Sequence, residues 1–213
     1  MNCEWWADIS AFQNGLPIKP IDFAKMRVAG IDGVCIRKSL GTLQDVAFKM
    51  NWDGAGAAGL KRTVYVVPYV QFSKERQLEA MIKDFDPAEL DRPMWLDVER
   101  THKLTLQQAT AVILWFLYEL ENWGSKPDIY TNRYFFEGWY SKRGGWIDEH
   151  RLVVANYGAV IPAIPAGWRT RMNGSVVEPM NAWSGFQYSA DGNGLGKYLG
   201  CHSAAVDLSW EKV

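Results

Sequence analysis

The stretch Arg92-Pro93-Met94-Trp95-Leu96-Asp97-Val98-Glu99-Arg100 decides how the rest of the chain is read. A short apolar run stops at two carboxylates one residue apart, the pattern of a buried strand with chemistry at its tip. Side chains of a strand alternate faces, so Asp97 and Glu99 share one face, with Cα atoms roughly 6.5 Å apart, while Leu96 and Val98 point the other way. The pair reads either as an acid/base couple at the mouth of a barrel or as two solvated acids beyond the strand's end. Taken alone, these residues leave both readings open.

Outward from that stretch, strand and helix patterns alternate. Glu4 to Ile9 reads as a first strand running into the polar turn Ser10-Ala11-Phe12-Gln13-Asn14-Gly15, which puts Asp8 at a strand end. Asp22 can cap a short helix through Val28, and Gly33 to Lys38 is a second strand. Asp45 can open a helix carrying Phe48 and Trp52, its second half weakened by Gly54 and Gly56. Arg62 to Val67 is a third strand, halted by Pro68, and Ser73 caps a helix with Leu78, Met81, Ile82 and Phe85 at helical spacing.

Downstream, Thr105 and Gln108 form a capping-box pattern ahead of a helix with Val112, Ile113, Phe116, Leu117 and Leu120 on one side, closed by Gly124. Pro127 to Thr131 and Arg151 to Asn156 are further strands, separated by the aromatic run Tyr134-Phe135-Phe136 and Trp139-Tyr140. From Tyr157 to Ser184, Pro and Gly punctuation without a helical period predicts that a helix is missing. Strands at Gly185 to Tyr188 and Ala205 to Leu208 make eight. The pattern predicts an α/β fold, an irregular (β/α) TIM-like barrel of eight strands in parallel βα units, with helices missing in the C-terminal third. No linker interrupts it, so residues 1–213 are expected to form a single domain.

Composition narrows the functions. A formal charge of -1 carries no electrostatic footprint of nucleic acid. Eleven Trp, nine Tyr and nine Phe exceed what a core of this size needs, and exposed aromatics favour flat ligands such as sugar rings. Cys3, Cys35 and Cys201 are odd in number and widely spaced, so free thiols are expected rather than a disulfide framework or a zinc site. The N-terminal stretch has no signal-peptide pattern and no apolar segment is long enough to cross a bilayer. The expectation is a monomeric chain made in the cytoplasm, without stable membrane association.

In such a barrel the C-terminal strand ends build the active site, so Asp8, Asp97, Glu99 and Asp207, at or near the ends of strands one, four and eight, are expected to converge in one cleft. Their spacing matches no calcium loop, so no metal or other cofactor is expected. Only His102, His150 and His202 could serve a nucleophile, and no Gly-x-Ser-x-Gly elbow is present.

The same motifs resemble glycoside hydrolase family 25, the lysozymes (muramidases) of phage endolysins, bacterial autolysins and fungi. Asp8-Ile9-Ser10 with Gln13 and Gly15 is similar to its opening motif, and Arg37-Lys38-Ser39 with Gly41 to its second strand end. Asp45, Phe48, Asn51, Ala58, Gly59 and Leu60 fit the next helix and turn, Leu96-Asp97-Val98-Glu99 the acidic strand, and Ile129-Tyr130-Thr131 and Ala155-Asn156-Tyr157 the fifth and sixth. Gln187-Tyr188-Ser189 and Val206-Asp207-Leu208 resemble the last two. Val153 and Phe186 depart from the pattern by standing where tryptophan is frequent, and Pro68 follows Val67 where the family often has a histidine or aromatic residue. The resemblance implies a peptidoglycan substrate, possible N-acetyl assistance with retention, and a phage lysin that reaches the wall by holin-type release or on a virion. Glu99 is expected as general acid/base, Asp97 as the group that stabilises positive charge or orients an N-acetyl group, and Asp8 and Asp207 as residues that hold the pair. Tyr65, Tyr130, Tyr157, Gln187 and Trp183 are the expected substrate-binding residues. A chitinase-type barrel usually carries a further Asp two residues upstream, where this chain has Trp95. The other class of reading is a non-catalytic sugar-binding or virion structural module on the same barrel.

Overall fold

In chain order the strands are β1 (Cys3–Ile9), β2 (Gly33–Leu40), β3 (Leu43–Gln44), β4 (Lys61–Val67), β5 (Trp95–Asp97), β6 (Asp128–Asn132), β7 (Leu152–Ala155), β8 (Thr170–Met172), β9 (Ser175–Val177), β10 (Trp183–Ser189) and β11 (Asp207–Lys212). The computed structural model describes residues 3–100, 103–132, 135–136, 150–158, 170–172, 175–177 and 183–212. His102, Tyr134, Trp139, Tyr140 and most of the stretch between Tyr157 and Ser184 lie outside them.

Strands β1, β2, β4, β5, β6, β7, β10 and β11 close into a barrel, since β1 pairs with both β11 and β2. β3 adds a short hairpin to the end of β2, and β8 and β9 pair apart as a two-stranded ribbon. The eight-stranded α/β barrel read from the sequence is therefore the fold, with one correction to its topology. Neighbours from β1 through β10 run parallel, but β11 is antiparallel to both β10 and β1. The connection from β10 holds only a 3₁₀ segment, Gly192–Lys197, with no crossover α-helix to carry the chain back for a parallel strand, so it returns in reverse. Asp207 consequently opens the last strand instead of lying near its end.

Helices α1 (Phe23–Val28), α2 (Phe48–Ala57), α3 (Lys74–Ile82) and α4 (Leu106–Trp123) cover the first strands. Asp22 and Ser73 cap α1 and α3 as expected, and α4 carries the Thr105/Gln108 capping box and ends at Gly124 in the left-handed region. Beyond residue 150 the described residues contain no α-helix. Two local readings change. Phe85 lies past the end of α3 and packs on Trp52 at 4.9 Å between ring centroids. Asp45 does not begin α2, whose N-cap is Ala47 without a side-chain cap bond, because the Asp45 carboxylate is occupied by Arg37 and by the N–H groups of Ala11 and Ala47. The helix runs through Gly54 and Gly56 to Ala57 because Phe23 and Arg62 pack where their side chains would stand.

Alternation along the strands makes two separate cores. Ala7, Ile9, Val34, Ile36, Val64, Val66, Leu96, Val98, Ile129 and Val154 face outward onto Met26, Trp52, Met81, Ile113, Phe116 and Leu120 of the helices. Cys35, Trp95, Tyr130, Val153 and Ala155, with Tyr65 against them, face inward. The inner layer is narrow: Trp6 is fully buried and its indole lies over Gly33, where an added Cβ would stand 2.5 Å from Cε2. Neither the ring nor the paired backbone can retreat. Gly33→Ala is expected to destabilise the protein by about 1–3 kcal/mol, the usual range for overpacking a filled core, read as a lower urea midpoint with an unchanged slope.

Candidate active site

The chemistry collects at one rim because strand parity and strand direction agree there. On β1, Ala7 and Ile9 belong to the outer core, so Asp8 between them points into the barrel, where it is 6% exposed. β5 ends at Asp97, but the chain keeps an extended course beyond it. Val98 N–H donates to Tyr130 O at 2.8 Å and Thr131 Oγ1 donates to Val98 O at 2.8 Å. The two-residue repeat thus carries Glu99 to the same side as Asp97 even though the ladder has stopped. The reversed β11 sets Asp207 directly across from Asp8 in the register.

These four carboxylates line one cavity of about 210 Å³. Tyr65, Tyr130, Tyr157 and Gln187 share its wall, so eight of the nine residues expected at the site are brought together. Trp183 is not among them. It is the first residue of β10, at the far end of the strand from Gln187, and its ring packs in the outer core beneath Lys212 Nζ at 3.9 Å.

Gln187 lines the cavity and is also engaged within the protein. It is 3% exposed and its amide is used at both ends. A carboxylate oxygen only accepts, so Nε2 donates to Asp8 Oδ2, and Oε1 accepts from Tyr130 Oη at 2.7 Å and Tyr157 Oη at 2.9 Å. Ser209 Oγ also donates to Asp8 Oδ2, at 3.0 Å. Gln187 therefore ties β1, β6, β10 and the end of β7 together under the cavity, and both tyrosine hydroxyls are committed as donors inward. Tyr157 is half exposed at the rim while Tyr130 is buried, stacked on Trp95 with ring centroids 6.1 Å apart.

Sequence reasoning overlooked Asn132, Arg37, Arg100 and Ser209. Asn132 Nδ2 donates to Glu99 Oε1 at 3.0 Å and holds the carboxyl from the end of β6. Its signal was available, since it follows Tyr130 by two residues and so shares its face. Arg37 and Arg100 also line the cavity.

Burial dominates the electrostatics. It pushes the Asp97 carboxyl well above the ordinary carboxylate range, Glu99's charge adds to the rise, and Arg100 opposes it. Asp8 is likewise raised by burial and then by Asp207, against donors from Gln187 and Ser209. Asp207 is pushed up to about 7 by burial, with Asp191 and Glu99 adding repulsion. Asp8 Oδ1 and Asp97 Oδ1 are buried with no hydrogen-bond partner among the described residues. Unpaired buried acceptors cost stability, and they concentrate where a ligand or a transferable proton is to be met. No group of three or more His, Cys, Asp or Glu side chains among the described residues is arranged to hold a metal ion.

The family model described as Glycosyl hydrolases family 25 matches residues 7–197. The "Uncharacterized protein YegX" of Escherichia coli (strain K12) is 29% identical over 154 residues, 70% of this chain but 55% of that protein, so the match spans little more than half of the relative's length. Among solved structures, the bacterial lysozyme from Streptomyces coelicolor superposes with a TM-score of 0.77 at 20% identity, over 100% of this chain and 94% of that one. A family GH25 lysozyme from Aspergillus fumigatus gives 0.76 at 22% identity, over 100% and 95%. At such identities the superpositions establish the shared barrel.

The raised carboxyls make stability depend on pH in a definite direction. Between the ordinary carboxylate range and pH 7 the native Asp207 keeps a proton that the unfolded chain has released, so stability falls as pH rises to about 7 and that contribution is gone above it. Asp207→Asn is expected to make this decline shallower in urea unfolding across that window; an unchanged slope would mean that Asp207 does not hold its proton in the folded protein.

Proposed function

The chain belongs to glycosyl hydrolase family 25, and from that premise we propose that it is a peptidoglycan-cleaving muramidase acting through Asp97 and Glu99 as one catalytic domain. The observation that carries this reading is the meeting of two neighbouring carboxylates from β5 with Asp8 and Asp207 in a single tyrosine-walled cavity. Hydrolysis of a glycosidic bond needs a proton for the leaving oxygen and negative charge beside an oxocarbenium-like centre, and two carboxylates in unlike environments supply both.

Glu99, steadied by Asn132, is the group we assign to protonate the leaving oxygen and, in the second step, to take a proton from the attacking water. Asp97 lies deeper, and its raised carboxyl favours keeping a proton in the empty cleft. Burial and the neighbouring charge of Glu99 favour that proton, so one is at hand beside Glu99 when the glycan enters. Asp97 then stabilises the developing positive charge or orients the acetamido group of the muramyl sugar. Asp8 and Asp207 hold the electrostatic setting, Tyr65 offers its ring face and hydroxyl to the sugars, and Tyr157 its ring face.

The substrate lies outside the cell membrane. No helix among the described residues is long and apolar enough to cross one. The family that the motifs resemble includes phage endolysins, and delivery by holin-type release or on a virion is the route proposed for this chain.

Digestion of purified peptidoglycan is expected to leave new reducing ends on N-acetylmuramic acid, identified by mass spectrometry. Glu99→Gln is expected to lose about a hundredfold or more of that activity, as removal of a general acid does, and Asp97→Asn to lose activity as well. Reducing ends on N-acetylglucosamine would reassign the cleavage, and a protein that binds walls but clears no zymogram would be a sugar-binding module instead.

A further inference from the structure

The cavity holds two positive charges beside its four carboxylates. Arg37 comes from β2 and Arg100 follows Glu99, and both line the cavity together with the four carboxylates. They lie on one side of it. Arg37 is paired across the ladder with Tyr65, Tyr65 with Trp95, and Arg100 follows from the same strand, whereas Tyr157, Gln187 and Asp207 form the opposite side from β7, β10 and β11.

Arg37 is held as a recognition group is held. Its Nε and Nη2 both donate to Asp45 Oδ2 at 2.8 Å. The Asp45 side chain is 1% exposed and also accepts from the backbone N–H groups of Ala11 and Ala47. One edge of the guanidinium is thereby fixed, and Nη1 has no partner among the described residues. The side chain is 24% exposed, so the free edge reaches the cavity already oriented. Arg100 is exposed, with its guanidinium carbon 5.6 Å from the centre of the Tyr69 ring. A planar, pre-oriented fork is the group suited to bidentate capture of a carboxylate or phosphate.

We infer that Arg37 and Arg100 form an oxyanion-recognising wall of the cleft, which takes an anionic substituent carried on the glycan beside the bond being cut. This rests on the muramidase reading and adds to it the group recognised: an oxyanion of the acidic peptide stems or of a phosphodiester polymer, in preference to a wall whose acidic groups are neutralised. The carboxylates at the centre would repel such a group, so its place is over β2 to β5, where the arginines stand.

The experiment compares three preparations of one cell wall: untreated, freed of phosphodiester polymer with hydrofluoric acid, and then further capped at its stem carboxyl groups with carbodiimide and methylamine, which leaves the lactyl carboxyls in their amides. Wild type is expected to show a KM roughly tenfold lower on the wall with free stem carboxylates than on the carboxyl-capped wall, the size of one charge-assisted contact, with kcat little changed. Arg37→Gln and Arg100→Gln should bring that ratio towards one, Arg37→Lys should restore it in part, and added salt should shrink it in wild type. If only the untreated wall shows the lower KM, the anion is the phosphodiester and the wall of arginines stands. Equal KM on all three substrates, or a ratio that both arginine variants leave intact, would overturn the inference while the muramidase reading survives. Failure to cleave any of them would remove that reading itself. Arg100→Gln alters an exposed side chain, so it decides the matter even if Arg37→Gln does not fold.

Discussion

The structure depends on one pairing, that of β11 between β10 and β1. Without it the sheet would remain open between its first and last strands, and the inward residues of β1 and β10 would have nothing to pack against. Because β11 enters in reverse, its first residue meets the penultimate residue of β1, and Asp207 arrives opposite Asp8. Ser209 and Glu211 follow at two-residue intervals on the same inward face, so one short strand supplies a hydroxyl to Asp8, a half-buried acid at the rim and a buried one below it. Closure and assembly of the site are thus the same event, and a register slip by one residue would turn all three side chains outward.

Gathering acids in this way works against stability, and the surrounding contacts show how the cost is contained. Asp8 gives its Oδ2 to two donors and Glu99 accepts from Asn132. The protein does not spread arginines evenly among the carboxylates. Had it done so, each acid would have been pinned in its ionised form and unable to hold a proton at neutral pH. Leaving Asp97 and Asp8 each with an unpaired oxygen keeps both carboxyls raised, so protons are favoured beside Glu99, the group assigned as general acid.

Much of this was legible from residue order, and the exceptions have physical causes. The capping box before α4 and the apolar run into Asp97 depend on contacts within a few residues, so they read directly. Asp45 misled because a carboxylate near a helix start also suits a buried arginine, and Arg37 lies on another strand. Asp207 was placed near the right rim on a wrong premise, since nothing in Val206-Asp207-Leu208 tells whether a strand is entering or leaving. Trp183 drew attention as an aromatic close to a strand, yet its position at the start of β10 sends it to the far end. Gln187 was recognised as part of the site, but its engagement with Asp8, Tyr130 and Tyr157 depends on residues up to 179 positions away, which no local pattern can reveal.

Burial alone does not separate functional from structural acids in this barrel; partnership does. Near the opposite end, burial would push Glu4 up, but donors from Lys61, Arg92 and Trp6 together hold its carboxyl below the ordinary range. Asp128, raised by burial, has Arg151 and Ser184 against it, Ser184 Oγ donating at 2.6 Å. Those acids close the floor of the barrel and are satisfied there. Glu211 sits between the two regimes. Burial raises it well above the usual range, the charges of Asp128 and Asp8 add to the rise, and its Oε1 has no partner among the described residues. Yet it does not line the cavity and is 4% exposed. Its carboxyl fills the space beside Gly185, where burial disfavours the charged form. The charge that raises Asp8 comes instead from the rim, from Asp207, which lines the cavity within reach of a substrate.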